Sequence, residues 1–328
     1  MAHLNPTTPL RWLALLCGAL ALPVVAAEPA APRDRTVVGD STLTGDTGAH
    51  DPTLWVGPSG WHVFSTGPGL QRLHSKDGVH WVRREPIFSA ANRPAWWKQT
   101  VPAHEGVDVW APKLFQHNGR FWVMYSISTF GKRQSAIGLA SATAPDAPGA
   151  DWRDDGLVVA STEQDNFNAI DPDVLQAADG RLWLSYGSFW GGIRASELDT
   201  RTLRPVGETR FIASHRPGIE APTLVQRGDW FYLFVSHGYC CRGVDSTYNV
   251  KVGRARHPLG PFVDRDGRTL LDNGGTPVTS GGPRWKGPGH QDVFGDTLVF
   301  HSYDAQDGGK PHLRSAPLRW SADGWPSM

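Results

Sequence analysis

A short phrase that returns five times along the chain limits what it can fold into. It reads HDPTLW at 50–55, WAPKLF at 110–115, IDPDVL at 170–175 and EAPTLV at 220–225, with a degenerate copy, GHQDVF, at 289–294, where Gln291 stands in for proline. The aligned positions are 52, 112, 172, 222 and 291, so the copies lie about 50 to 70 residues apart. Such a period is the mark of a repeat architecture. Proline disfavours helical geometry in the residue before it, so an extended entry into a strand is expected at each copy, with the preceding side chain aimed rather than mobile.

Each copy is followed by a turn signal and a second, alternating apolar strand. These strands are WHVFST (61–66), FWVMYS (121–126), LWLSYG (182–187), WFYLFVS (230–236) and DTLVFHS (296–302). Two strands joined by a glycine-containing turn make a hairpin. Further β-type runs follow, SAIGLASA (135–142), IRASELD (193–199), NVKVGRA (249–255) and HLRSAPLRW (312–320) among them. Five matched units of short strands without a long amphipathic helix predict an all-β, five-bladed β-propeller in a single domain. A β-sandwich also uses many short strands, but it gives no reason for five matched hairpins.

Fifteen Trp and 37 Gly suit a loop-rich β-protein with aromatic faces for stacking on sugar C–H groups. The formal charge is zero and no basic run is present, which argues against nucleic acid or an anionic membrane as partner. Residues 1–27 read as a secretory signal peptide, with Arg11, an apolar run from Trp12 to Val25, and Ala26-Ala27 at the cleavage site. The competing reading, a lipid anchor at Cys17, is disfavoured by the large Leu16 before it. Residues 28–37 would be a short linker and 38–328 the propeller, exported to the periplasm or beyond and expected to be a monomer with no membrane contact. Export leaves Cys240 and Cys241, which are adjacent and either bridge each other or remain free thiols; a zinc site is not expected from their spacing.

In a propeller the innermost strands line a central channel, so Asp51, Asp171, Glu220 and His290 should converge at one mouth, with Trp110 at the matching place in the second blade. Two carboxylates across a sugar-sized pocket are the minimal apparatus of glycoside hydrolysis, and a third can raise the acid's pKa. The alternative is that these acids only bind a cation or stay solvated. Trp110 is read as a stacking platform or as core, and His290 alone as a hydrogen-bonding spacer.

The chain also resembles family 43 of the glycoside hydrolases, specifically its endo-acting α-1,5-L-arabinanases. The resemblance is carried by HDPTLW, VWAPKL, SISTFGKRQSAIGLA (126–140), NAIDPDV, YGSFWGGI (186–193), IEAPTLV, CCRGVDSTYNVKVGRA (240–255) and GPGHQDVF (287–294). It implies cleavage of internal bonds of arabinan, a pectin side chain, with inversion, by Asp51 as general base, Glu220 as general acid and Asp171 as the residue that tunes the acid. It implies substrate contacts from Trp110, Asn168 and the loop residues Ser188, Phe189, Trp190 and Ile193. It also implies a calcium ion beside His290, held largely through water. Exo-acting arabinofuranosidases or β-xylosidases of the same fold, and a carbohydrate-binding propeller without turnover, are the alternatives. The sequence departs from the resemblance at Lys113, where aspartate is usual, at Gly191 in place of serine, and at GHQDVF in place of GHNSVF.

Overall fold

The structure, a computed structural model, describes residues 43–328. The proposed signal peptide, the linker and the boundary at residue 38 lie outside the described residues. Five antiparallel blades follow one another in sequence, and their inner strands are Thr53–Gly57, Asp108–His117, Asp173–Gln176, Ile219–Arg227 and Trp285–Phe294. Each inner strand touches the next in cyclic order and the fifth touches the first, so the ring is closed. The second strands, Gly60–Ser65, Arg120–Ile127, Leu182–Tyr186, Trp230–His237 and Thr297–Asp304, fall where the alternating apolar runs place them. This is the five-bladed propeller expected from the repeats. Beyond it lie a short helix, Ala95–Thr100, which buries Trp97, and a few single 3₁₀ turns.

The core is distributed in the same five-fold way. A blade is apolar on both faces, and each face packs on the neighbouring blade rather than on a common centre. Phe64 and Leu70 meet Phe121 and Val123 between blades one and two; Phe115 and Met124 meet Leu182 and Leu184 between two and three. Trp183 and Ile193 meet Leu233 and Val235 between three and four. Tyr232 and Phe234 meet Leu298 and Phe300 between four and five, and Leu54 and Val63 meet Val299 and Leu313 between five and one. Burial of side chains of this size is worth roughly 1.5–3 kcal/mol each, so an apolar seam on either side of every blade fixes the ring. Closure is completed by the segment before the first blade, where Leu313 N–H donates to the Thr47 carbonyl at 2.7 Å and Gly48 bridges His312.

Candidate active site

The residue before each aligned proline position is not extended. Asp51, Ala111, Asp171, Ala221 and His290 all have left-handed backbones, with φ of 53°, 47°, 58°, 53° and 48°. Only glycine takes this conformation freely; other residues incur about 1–2 kcal/mol. The sequence expectation failed because it weighed the proline and not the partner waiting for the N–H. Four of the five N–H groups donate to a side chain from the preceding blade's second strand or its end: Asp51 to His301 Nδ1, Ala111 to Thr66 Oγ1, Asp171 to Ser126 Oγ and His290 to Ser236 Oγ, all within 2.8–3.1 Å. Blade three has Gly187 at the matching place, so Ala221 N–H is taken instead by the Asp171 carboxylate at 3.0 Å. The strand bulges at this point in blades two, four and five, which turns the side chains into the channel mouth.

Asp51, Asp171 and His290 occupy the left-handed position itself. Where alanine stands there, the functional side chain comes one residue earlier, as Trp110 and Glu220. These five residues line one cleft of about 770 Å³, together with Asn168, Ser188, Phe189 and Trp190. Phe130 and Trp190 stand at the rim, 77% and 50% exposed. Ile193, expected to face the sugar, is fully buried in the seam between blades three and four and does not line the cleft. It opens the strand Ile193–Leu198, whose alternation turns it to the core. Cys240 and Cys241 are joined in a disulfide that forms part of the cleft wall.

The three carboxyls share one buried pocket but not one environment. Burial alone would raise Asp51, yet its carboxylate is held well below the usual range by the charges of His290 and His50, whose Nδ1 atoms lie 3.0 and 2.8 Å away. Thr66 donates a further hydrogen bond to it at 2.5 Å. His301 is held neutral, well below its ordinary value, by burial and by His50, and its Nδ1 accepts the Asp51 N–H. Glu220 moves the other way. Burial raises it, against hydrogen bonds from Ser188 at 2.6 Å and from the Tyr248 hydroxyl. Asp171 is pushed up to about 8 by burial and by the charges of Glu220 and Asp51, against the pull of His290. His290 is raised to about 9: burial opposes its charge, but Asp51 and Asp171 outweigh it.

The cleft therefore pushes Asp51 toward its ionised form and Glu220 toward its protonated one. Divergence of this kind between two carboxyls assigns a base and an acid. Sequence reasoning placed all three acids and Ser188 in the cleft, but it missed His50, Thr66, Tyr248 and His301. Thr66, Ser126, Ser236 and His301 are polar residues in the C-terminal part of the largely apolar second strands or just after them, and that recurrence was the available signal.

Two residues further along each inner strand lies a second polar ring, made by Thr53, Lys113, Asp173, Thr223 and Asp292. Lys113 Nζ sits 2.7 Å from both Asp173 and Asp292. Asp292 accepts from Thr53 Oγ1 at 2.7 Å and from Leu54 N–H at 2.9 Å, and Asp173 from Leu224 N–H at 2.8 Å. Thr223 Oγ1 donates to the Gln291 carbonyl at 2.6 Å. The departure at Lys113 is thus part of a network that joins all five blades.

Comparison with known proteins agrees with this geometry. The family model "Glycosyl hydrolases family 43" matches residues 49–326. The chain belongs to that family. It is 44% identical over 287 residues to the extracellular endo-α-(1→5)-L-arabinanase 1 of Bacillus subtilis strain 168, covering 85% of this chain and 87% of that protein. It is 38% identical over 300 residues to the extracellular exo-α-(1→5)-L-arabinofuranosidase ArbA of Cellvibrio japonicus, covering 85% and 86% of the two chains. Among solved structures, an endo-arabinanase from Bacillus licheniformis superposes with a TM-score of 0.84 at 44% identity, covering 87% of this chain and 99% of that one.

Proposed function

We propose that this chain is a secreted, monomeric endo-α-1,5-L-arabinanase that works by inversion. The observation that carries the mechanism is the opposed shift of Asp51 and Glu220, one held down and the other pushed up, across one cleft. Asp51, anchored by His290 and His50, takes a proton from the attacking water. Glu220, its acid form favoured by burial and its orientation fixed by Ser188 and Tyr248, protonates the departing sugar oxygen. Asp171, when ionised, opposes loss of the Glu220 proton by like-charge repulsion, and its carboxyl oxygen accepts the Ala221 N–H beside that acid. Trp110 and Phe189 supply apolar faces within the cleft, and the exposed Phe130 and Trp190 extend them to its rim, as a polymer crossing the cleft requires.

The endo assignment rests on those rim aromatics and on the endo-acting relatives. Digestion of linear arabinan should give a ladder of oligomers at early times. Release of monomer or dimer alone from the first sample would assign exo action.

Calcium is the cofactor implied for His290. Such an ion would need His290 as a neutral imidazole, so it would compete with the proton that His290 holds against Asp51, and with no carboxylate-rich loop of the kind that makes a tight site it would be held loosely. Among the described residues, the clusters able to share one ion are His50–Cys240–Cys241 and His50–Asp51–His301, and neither includes His290. Calcium held there would rest on His290 and water and would supply positive charge to the carboxyl cluster. Calcium in elemental analysis, with loss of thermal stability on chelation and recovery on re-addition, is the expected result. Its absence, together with indifference to chelator, would leave His290 as the ion-pair partner of Asp51 alone.

A further inference from the structure

Behind Tyr248 lies a second pocket, of about 780 Å³, lined by Ser246, Asn249, Lys251, Ser280 and Lys286 and by the glycine-rich turn at 281–282. Tyr248 is common to the lining of both pockets, and its hydroxyl donates to Glu220. The second pocket therefore abuts the catalytic cleft. Its charge is one-sided. Lys251 and Lys286 are half-buried, and neither has an ion-pair or hydrogen-bond partner among the described residues. Burial lowers Lys251 from its ordinary value with no acidic group offsetting it. The titratable groups beside it are basic: His215 and His237, stacked at 3.8 Å, are both held below their usual range by burial and by the Lys251 charge. Arg268 adds to the positive field at His215.

Withdrawing an ammonium from water without a counter-charge is unfavourable, and a counter-anion removes the penalty. A neutral arabinose chain has no anion with which to offset these charges. We propose that this pocket is a subsite for the carboxylate of a uronic acid residue, borne by an acidic segment of the polysaccharide whose neutral part enters the cleft. The ammonium groups of Lys251 and Lys286 would take the carboxylate. The Ser246 and Ser280 hydroxyls, the Asn249 amide and the open glycine backbone suit sugar hydroxyls. The inference rests on the proposed function only for the neutrality of the cleft's substrate, and its test needs no turnover.

The test is calorimetric titration of the mature protein with trigalacturonate, arabinotriose and inorganic phosphate at low and high salt. Trigalacturonate should bind, should weaken with salt, and should not be displaced by arabinotriose. Replacing both lysines, Lys251→Gln with Lys286→Gln, should weaken it by about tenfold or more, as loss of close charge pairs does, while hydrolysis of linear arabinan and the melting temperature stay unchanged. Absence of trigalacturonate binding, or equal binding by the double variant, would overturn the proposal. Phosphate binding as tightly as trigalacturonate would also overturn it, by reducing the site to a general anion trap.

Discussion

The two polar rings on the inner strands are separated by only two residues along the chain, yet they are built on opposite principles. In the deeper ring two carboxylates share one ammonium and every oxygen has a partner: Lys113 sits between Asp173 and Asp292, and the remaining carboxylate oxygens accept from Thr53, Leu54 and Leu224. In the ring at the mouth, three carboxyls are served by one strongly charged partner, His290, and two of the three are driven toward their neutral forms. A satisfied network holds its shape and does little chemistry. A frustrated one keeps a proton poised on one acid and off another. The fold separates the two jobs by depth, with the deeper ring fixing the strands from which the upper ring projects.

This contrast predicts that damage to the upper ring is read in turnover. Asp51→Asn and Glu220→Gln should each lower kcat by about 10² to 10⁴-fold, the usual contribution of general acid or base assistance. Glu220→Gln should barely move the melting temperature, whereas Asp51→Asn, which also takes the ion-pair partner from His290 and His50, should lower it as well. Either variant retaining more than about a tenth of the activity would remove that residue from its assigned role.

Damage to the deeper ring should be read in stability instead. Lys113→Met leaves Asp173 and Asp292 facing each other without their cation, and breaking a buried pair in this way typically costs about 3–5 kcal/mol. Denaturant unfolding should show that loss, while kcat/KM of the folded fraction falls far less than in the acid and base variants. Adding Asp173→Asn and Asp292→Asn should restore part of the stability, because neutral partners no longer repel. A Lys113→Met protein that unfolds like the wild type would deny the deeper ring its structural role.

The two rings were not equally legible in the sequence. Asp51, Asp171, Glu220 and His290 could be found because a repeated phrase carries each into the channel. Lys113 was visible as an odd residue, but its meaning required noticing that Asp173 and Asp292 occupy the same register in other blades. The left-handed backbones were hidden for a different reason: proline at the next position points to extended geometry, and the override comes from side chains of the preceding blade, which no local rule supplies. Ile193 shows the limit of reading a loop motif through its last residue, since the chain had already entered a strand there. Lys251 and Lys286 carry no motif at all, and their significance is the absence of a partner among the described residues, a property of the fold alone.

Asp171→Asn tests the coupling within the upper ring. When Asp171 is ionised, its charge raises the Glu220 pKa; asparagine is neutral at every pH, so Glu220 loses its proton at lower pH in the variant. Activity needs that proton. The basic limb of the kcat profile should therefore shift down, by an amount smaller than the loss in the acid or base variants. A limb that stays in place or moves up would show that Asp171 does not influence the acid's proton.

The smallest effect expected is at Thr66, which serves both backbone and base. Its Oγ1 accepts the Ala111 N–H at 2.8 Å and donates to Asp51 Oδ2 at 2.5 Å. Valine keeps the shape and removes both bonds, which leaves a buried N–H unpaired at about 1–3 kcal/mol. Losing a donor to the ionised carboxylate raises the Asp51 pKa. Asp51 is depressed in the folded chain, so its stabilising contribution is present above the unfolded pKa and is lost as pH falls through the folded one. In Thr66→Val that loss begins at a higher pH, and the acidic limb of the activity profile should rise with it. Thr66→Ser retains both bonds and should restore the limb. If valine costs stability without moving the acidic limb, Thr66 supports only the left-handed backbone of blade two and the base is held by its histidines alone.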